Sequence, residues 1–202
     1  HNLEREATEF VTQRLLLRHE IQWAADYFAT GVWGTDLPPT NLWSAYATSD
    51  PITDIEAGKE TILGNTGMMA NTLVLGYQVY RQLRNHPDLV DRIKYGGLTA
   101  ERGRTAMVTM EVMAQLFDVE RVLVARAIKA TNKEGAAGAY AFTHGKNALL
   151  CHSAPAPALM TPSAGYVFAW RGVSGSLGST IGVKNFRMEQ LESDRIEAAY
   201  AF

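Results

Sequence analysis

Groups able to bind a metal or attack a carbonyl crowd into one stretch, "THGKNALLCH", which carries His144, Cys151 and His152. A metal centre wants ligands paired at short spacings on both sides of a turn, such as C-x₂-C with H-x₃-H. This trio has neither that spacing nor a fourth ligand. A nucleophilic cysteine needs an orienting histidine and a third group. His152 is adjacent to Cys151, so on a strand its side chain points to the opposite face. The expected arrangement is a pair of surface histidines beside a buried cysteine in a strand, with no metal and no catalytic turnover.

Two glycine features invite a nucleotide reading. The run Leu73-Val74-Leu75 ends at Gly76 and gives way to a helical pattern, but one glycine cannot cradle a phosphate, and phosphate-binding loops need several. "GVSGSLGSTIG" has Gly172, Gly175, Gly178 and Gly182. A strand pattern follows it, so no helix N-terminus is available to an anion. The carboxylates of Asp36, Asp50 and Asp54 could serve acid–base chemistry only as a cleft pair with shifted pKa values. Asp50 and Asp54 are better explained by capping and by the helix dipole. Glu120 and Arg121 flank a strand and are expected to be solvated. No catalytic, cofactor or metal site is expected.

The elements that would position these groups follow from composition and periodicity. The chain has 202 residues, net charge −2 and 47% apolar residues. It can build a sizeable core and gives no reason to expect a nucleic-acid or anionic-membrane surface. One cysteine, Cys151, allows no internal disulfide and fits a reducing compartment. No apolar run reaches the roughly 20 residues of a membrane span. The chain begins at His1, without a signal peptide, and is expected to be processed or part of something longer.

Leu3, Ala7, Phe10, Arg14, Leu17, Ile21, Ala24 and Phe28 step by fours and threes, predicting a helix over 3–28. It would be roughly 39 Å long at about 1.5 Å per residue. This stripe is expected to pack on the chain's own strands, with Arg14 reaching solvent or a carboxylate. A second apolar patch, Leu16, Trp23 and Tyr27, lies on another face, and these are the candidate subunit-contact residues. A coiled coil is the rival reading, but the seam stops after about four heptads. Residues 31–48 read as loop. Asp50 caps a helix starting at Pro51, and Gly64 can end it. Residues 72–75 read as a buried strand, 77–85 as a helix halted by Pro87, 109–117 as a helix, and 121–128 as a second strand in the same sheet as the first. Then come a loop ("NKEGAAGA"), a short strand ("NALLCH") and another loop. Alternation through Tyr166, Phe168 and Trp170, and again through Ile196, Ala198, Tyr200 and Phe202, predicts strands. The order helix, mixed α/β, mostly β argues an α+β fold.

In this order, "FVTQRLLLRHEIQWAADYF", "GVWGTD", "SDPITDIEAGKETIL", "NTLVLGYQVYRQLRNHPDLVDRIKY", "MAQLFDVERVLVARA", "HGKNALLC" and "PSAGYVFAWRGVSG" resemble the major capsid proteins of tailed bacteriophages. The resemblance implies the tailed-phage capsid fold. Its peripheral (P) domain has a long spine helix and long strands, and its α/β axial (A) domain lies nearest the symmetry axes. It places residues 1–50 in the P domain, 51–158 in the A domain and 159–202 in the strands returning to the P domain. Residues 96–108, "GGLTAERGRTAMV", fit the family poorly, and the family's N-terminal arm, extended loop and further C-terminal run are absent from this sequence. The implied role is a non-enzymatic coat subunit of the virion. It assembles with copies of itself as pentamers and hexamers and with scaffold and portal proteins, enclosing DNA without sequence-specific contacts and without a membrane. An encapsulin-like shell around cargo enzymes would share the fold. An α+β enzyme is the third reading.

Overall fold

The apolar runs at 72–75 and 121–125 lie side by side in one sheet. The structure, a computed structural model, describes residues 2–95, 108–168 and 181–200. Its elements are α1 (Leu3–Tyr27), α2 (Pro51–Thr66), β1 (Thr72–Gly76), α3 (Tyr77–Arg84), α4 (Pro87–Tyr95), α5 (Met110–Leu116), β2 (Arg121–Ala125), β3 (Ile128–Ala130), β4 (Tyr140–Phe142), β5 (Ala148–Cys151), β6 (Ile181–Met188) and β7 (Ser193–Tyr200). This is an α+β chain in two units, Ala24–Gly165 and His1–Trp23 with Tyr166–Phe202.

In the larger unit, β1 is the middle strand of the order β2-β1-β5. It runs parallel to β2, with Thr72 opposite Arg121 and Gly76 opposite Ala125, and antiparallel to β5, with Thr72 opposite Cys151. A parallel neighbour requires a long crossover, and the chain between the two strands contains α3, α4 and α5. Leu73 and Leu75 share one face of β1 and are buried in a cluster with Leu83, Leu89, Ile93 and Met113. Asn71 ties both edges together at the start of the strand. Its carbonyl accepts from the Glu120 and Arg121 N–H groups at 3.0 and 3.2 Å, and its N–H donates to the Cys151 carbonyl at 3.1 Å. Its side chain donates to the Ser153 carbonyl at 2.9 Å and accepts from the Ser153 N–H at 2.8 Å. At the other end, a Cβ on Gly76 would overlap the Gly145 carbonyl oxygen, so this position has no room for a side chain. That is the use of the glycine that follows "LVL".

Helix ends follow from caps. The Asp50 carboxylate accepts from the N–H groups of Ile52 and Thr53 at 3.2 and 3.1 Å and from the Thr53 hydroxyl at 2.7 Å. Pro51 takes the first helical turn. The expected stop at Gly64 is incorrect: α2 continues to Thr66, and Gly67 ends it at φ 70°, donating its N–H to the Leu63 carbonyl at 2.8 Å. Pro87 does halt α3, and it also opens α4, where its missing N–H costs nothing. Lys59 closes the C-terminal end of α5, donating to the carbonyls of Phe117 and Asp118 at 3.0 and 2.9 Å and to the Asp118 carboxylate at 2.8 Å.

Three other expectations are corrected. The run 121–128 is not one strand. β2 ends at Ala125, and β3 leaves to pair antiparallel with β4, Ile128 opposite Phe142. Tyr166 and Phe168 lie outside any strand, and Trp170, Phe202, residues 96–107 and Gly172–Gly178 fall outside the described residues. The long stripe on α1 is buried only toward its C-terminal end. Ala24 and Phe28 are buried and Leu17 and Ile21 half-buried, while Leu3 is 76% and Phe10 56% exposed. The Arg14 guanidinium lies 5.0 Å over the exposed Phe10 ring.

The smaller unit joins most of α1 to the β6–β7 hairpin. The hairpin pairs from Ile181 opposite Tyr200 to Met188 opposite Ser193. The ring of His19 meets that of Tyr200 edge-on at 5.1 Å. Arg187 pairs with Asp194 at 3.3 Å and Arg195 with Glu197 at 2.7 Å across exposed surface, contacts that contribute little to stability.

The hydrogen bonds to Thr53, its hydroxyl before its N–H, hold the Asp50 carboxyl below its ordinary value. A folded pKa below the unfolded one means that the cap stabilises above about pH 4 and is lost as pH falls through the folded value. Asp50→Ala should cost about 1 kcal/mol at neutral pH. Urea unfolding should show that difference at pH 7 and its narrowing toward pH 3. An unchanged midpoint at pH 7 would remove the capping role.

Candidate functional site

His144, Cys151 and His152 do not form a site. Cys151 is half-buried at the end of β5, and burial pushes its thiol pKa up, with the Arg121 guanidinium acting weakly against that. A nucleophile needs the opposite shift. His152 Nδ1 lies 2.7 Å from the Met69 carbonyl. His144 is not the surface residue expected. It is buried, edge-on to Phe28 at 4.8 Å. Among the described residues no group of three His, Cys, Asp or Glu side chains could hold a metal, and no helix is long and apolar enough to cross a membrane.

The structure does assemble a hydrolase-like trio that spacing could not reveal. Ser49 Oγ lies 2.9 Å from His86 Nε2, and His86 Nδ1 lies 3.5 Å from an Asp88 carboxylate oxygen. In a working triad the imidazole takes the serine proton. Here Nδ1 accepts the Asp88 N–H at 3.3 Å, which assigns the ring proton to Nε2. That proton is donated to Ser49 Oγ, whose own proton goes to the Ala45 carbonyl at 2.9 Å. Ser49 and His86 are both buried. The trio therefore anchors the end of the 41–49 loop to the start of α4, where His86 precedes Pro87. Two other carboxylates are similarly engaged. Asp54 accepts from Trp43 Nε1 at 2.7 Å and Asp36 from the Gly31 N–H at 2.6 Å.

The candidate contact residues Leu16, Trp23 and Tyr27 lie at i, i+7 and i+11 on α1, one side of the helix. Leu16 is 49% and Tyr27 47% exposed, while Trp23 is half-buried. The Tyr27 carbonyl accepts from Trp33 Nε1 at 2.6 Å. Beside this point the larger unit has an open groove of about 1420 Å³, walled by Trp33, Leu37, Trp43, Ile62 and Leu150 among others. Sequence reading placed 31–48 in a loop and found no role for it. The tryptophans at 33 and 43 were the available signal.

No protein-family profile matches the chain. The major capsid protein of Burkholderia phage BcepMu is 34% identical over 137 residues, covering 65% of this chain and 42% of that protein. The crystal structure of a phage-related protein from Bordetella bronchiseptica RB50 superposes with a TM-score of 0.74 at 24% identity, over 99% of this chain and 64% of the other. The fold is thus shared with a phage-related protein. The chain spans less than half the length of the curated relative that it matches.

Burial of Cys151 predicts slow reaction with a thiol-specific disulfide reagent at pH 7 and rapid reaction once urea unfolds the protein. Fast stoichiometric labelling of native protein would show an accessible, activated thiol instead.

Proposed function

We infer that this chain is part of a coat subunit of a tailed-phage head. The observation that carries the reading is the 34% identity over 137 residues to a major capsid protein, and the fold shared with a phage-related protein supports it. In this reading α1 is the spine helix, residues 1–50 and 159–202 make up the P domain, and 51–158 form the A domain. Copies assemble as pentamers and hexamers with scaffold and portal proteins into an icosahedral shell. The shell encloses the genome through general rather than sequence-specific contacts and is the particle's outer wall in the virion. In this reading the chain has a structural, non-enzymatic role, supported by its likeness to a capsid protein. The runner-up is an encapsulin-like shell, which the same surface features would also serve.

Subunit contacts need apolar groups left uncovered by the chain's own core. Leu16 on α1 fits that need, and it is a cleaner probe than the half-buried Trp23. The full-length protein, expressed alone or with its scaffold, should form closed particles in electron micrographs. Leu16→Glu should remain folded by circular dichroism and give few particles. Wild-type protein that never forms particles would overturn the coat reading. Normal particles from Leu16→Glu would remove this face of α1 from the contacts.

A further inference from the structure

The net charge of −2 conceals an uneven spread. Residues 121–152 hold five basic side chains, Arg121, Arg126, Lys129, Lys133 and Lys146, and one acid, Glu134, while the rest of the chain has fourteen basic and twenty acidic residues. The structure folds this stretch into β2, the β3–β4 ribbon and β5. Arg121 is engaged at the sheet edge, donating to the Thr72 and Ser153 hydroxyls at 3.2 and 3.4 Å. Arg126, Lys133 and Lys146 are exposed and Lys129 is half-buried, and none of the four forms an ion pair among the described residues. Cations elsewhere do meet carboxylates, as Arg5 meets Glu9 at 2.9 Å and Lys59 meets Asp118 at 2.8 Å.

The ribbon sets these four cations out along a line. Ile128 stands opposite Phe142 and Ala130 opposite Tyr140, so those four side chains share one face. That face reaches α3, where the Phe142 ring stacks on Tyr77 at 5.5 Å. Lys129, opposite Ala141, belongs to the other face, turned away from α3. The Thr143 N–H donates to the Ala127 carbonyl at 2.9 Å, which keeps the chain at Arg126 beside the segment leading to Lys146. Pairing continues at the far end, where the Thr131 N–H donates to the Ala139 carbonyl at 2.9 Å. There Lys133 sits in a turn that Asn132 braces, its amide donating to the Lys133 and Ala136 carbonyls at 3.1 and 3.3 Å. From Arg126 to Lys133 the extended chain covers roughly 20 Å.

We propose that this basic ribbon binds the phosphate backbone of double-stranded DNA without reading its sequence. Physical chemistry selects the partner. Exposed cations gain little from single carboxylates on another protein, because such pairs are screened and cost side-chain entropy. DNA carries one charge per roughly 1.7 Å and releases condensed counterions as each phosphate is neutralised. Over roughly 20 Å it offers about a dozen phosphates, so cations strung along a line can all be met at once, which a compact anion cannot do. Three of the four are lysines, hydrated point charges that meet phosphates without a fixed geometry. The inference rests on the coat reading, which supplies the enclosed DNA, and deepens it by naming the surface that meets that DNA.

The test measures binding of the full-length protein to a fluorescent DNA duplex of mixed sequence, by anisotropy, as salt rises from about 50 to about 200 mM. One variant carries Arg126→Gln, Lys129→Gln, Lys133→Gln and Lys146→Gln. A control makes the same change of charge elsewhere, with Gln at the exposed Arg18, Arg84, Arg92 and Lys184. Circular dichroism checks that both are folded. The wild type should bind. The ribbon variant should bind at least about tenfold more weakly at low salt, with a salt slope shallower by about 0.9 for each cation that meets a phosphate. The control should keep most of the wild-type affinity and slope. Should the fourfold variant not fold, Lys133→Gln and Lys146→Gln are measured singly, and each should flatten the slope. Equal losses in ribbon variant and control overturn the ribbon as the site, and so does wild-type protein that does not bind. Unchanged binding by the ribbon variant overturns it too, and if that variant also fails to form particles, the ribbon meets an acidic face of another copy instead. Micrographs of the wild type judge the coat reading separately. Particles with binding indifferent to the ribbon discard the DNA surface alone, and ribbon-dependent binding without particles discards the coat reading alone.

Discussion

Pairing of β1 along both edges is the constraint on which the larger unit depends. The strand is buried, with Leu73 and Leu75 in the core, and its backbone groups must be met on each side. A parallel β2 obliges the chain to travel away and return, and α3 and α5 use that path to pack Leu83 and Met113 over the sheet's apolar side. An antiparallel β5 brings the turn at Gly145 against Gly76, which leaves no space for a side chain there. Asn71 joins both neighbours where β1 begins, serving the β2 edge through its carbonyl and the β5 edge through its N–H and amide. The positions of α3 and α5 and the groove wall at Leu150 follow from this arrangement.

Local chemistry was legible in the sequence, and tertiary choice was not. Asp50 before Pro51 could be read as a cap because the interaction is confined to three residues. Gly64 and Gly67 look alike in sequence. Glycine inside a helix costs only about 1 kcal/mol, so only the backbone shows that the left-handed turn falls at Gly67. "RVLVARAI" is apolar throughout, and nothing local reports that Ala125 ends one sheet while Ile128 joins another. On α1, steps of three and four told which residues share a face but not what covers that face, so Leu3 and Phe10 were expected inside and lie outside. Residues 49, 86 and 88 are too far apart in sequence to be seen as a trio, and geometry then shows a structural anchor where proximity suggests catalysis.

The same distinction bears on function. Groups with reactive potential are committed to holding loops and helix ends: Ser49 and His86 at the start of α4, Asp54 to Trp43, and Lys59 to the end of α5. Large apolar side chains left exposed among the described residues include Leu16 on α1 and Leu159 and Met160 in the loop after β5. Exposed apolar side chains of this kind suit contacts with another protein surface. The reading of a coat subunit draws its specificity from the capsid protein that the chain resembles over 137 residues.

A coat and a cargo shell built on one fold differ in what they enclose, so the contents of purified particles test the account most directly. Particles of the full-length protein, isolated from host cells producing phage and treated with nuclease before disruption, should release protected double-stranded DNA of uniform genome length. Particles that release a folded enzyme and no protected DNA would contradict the account and establish a cargo shell.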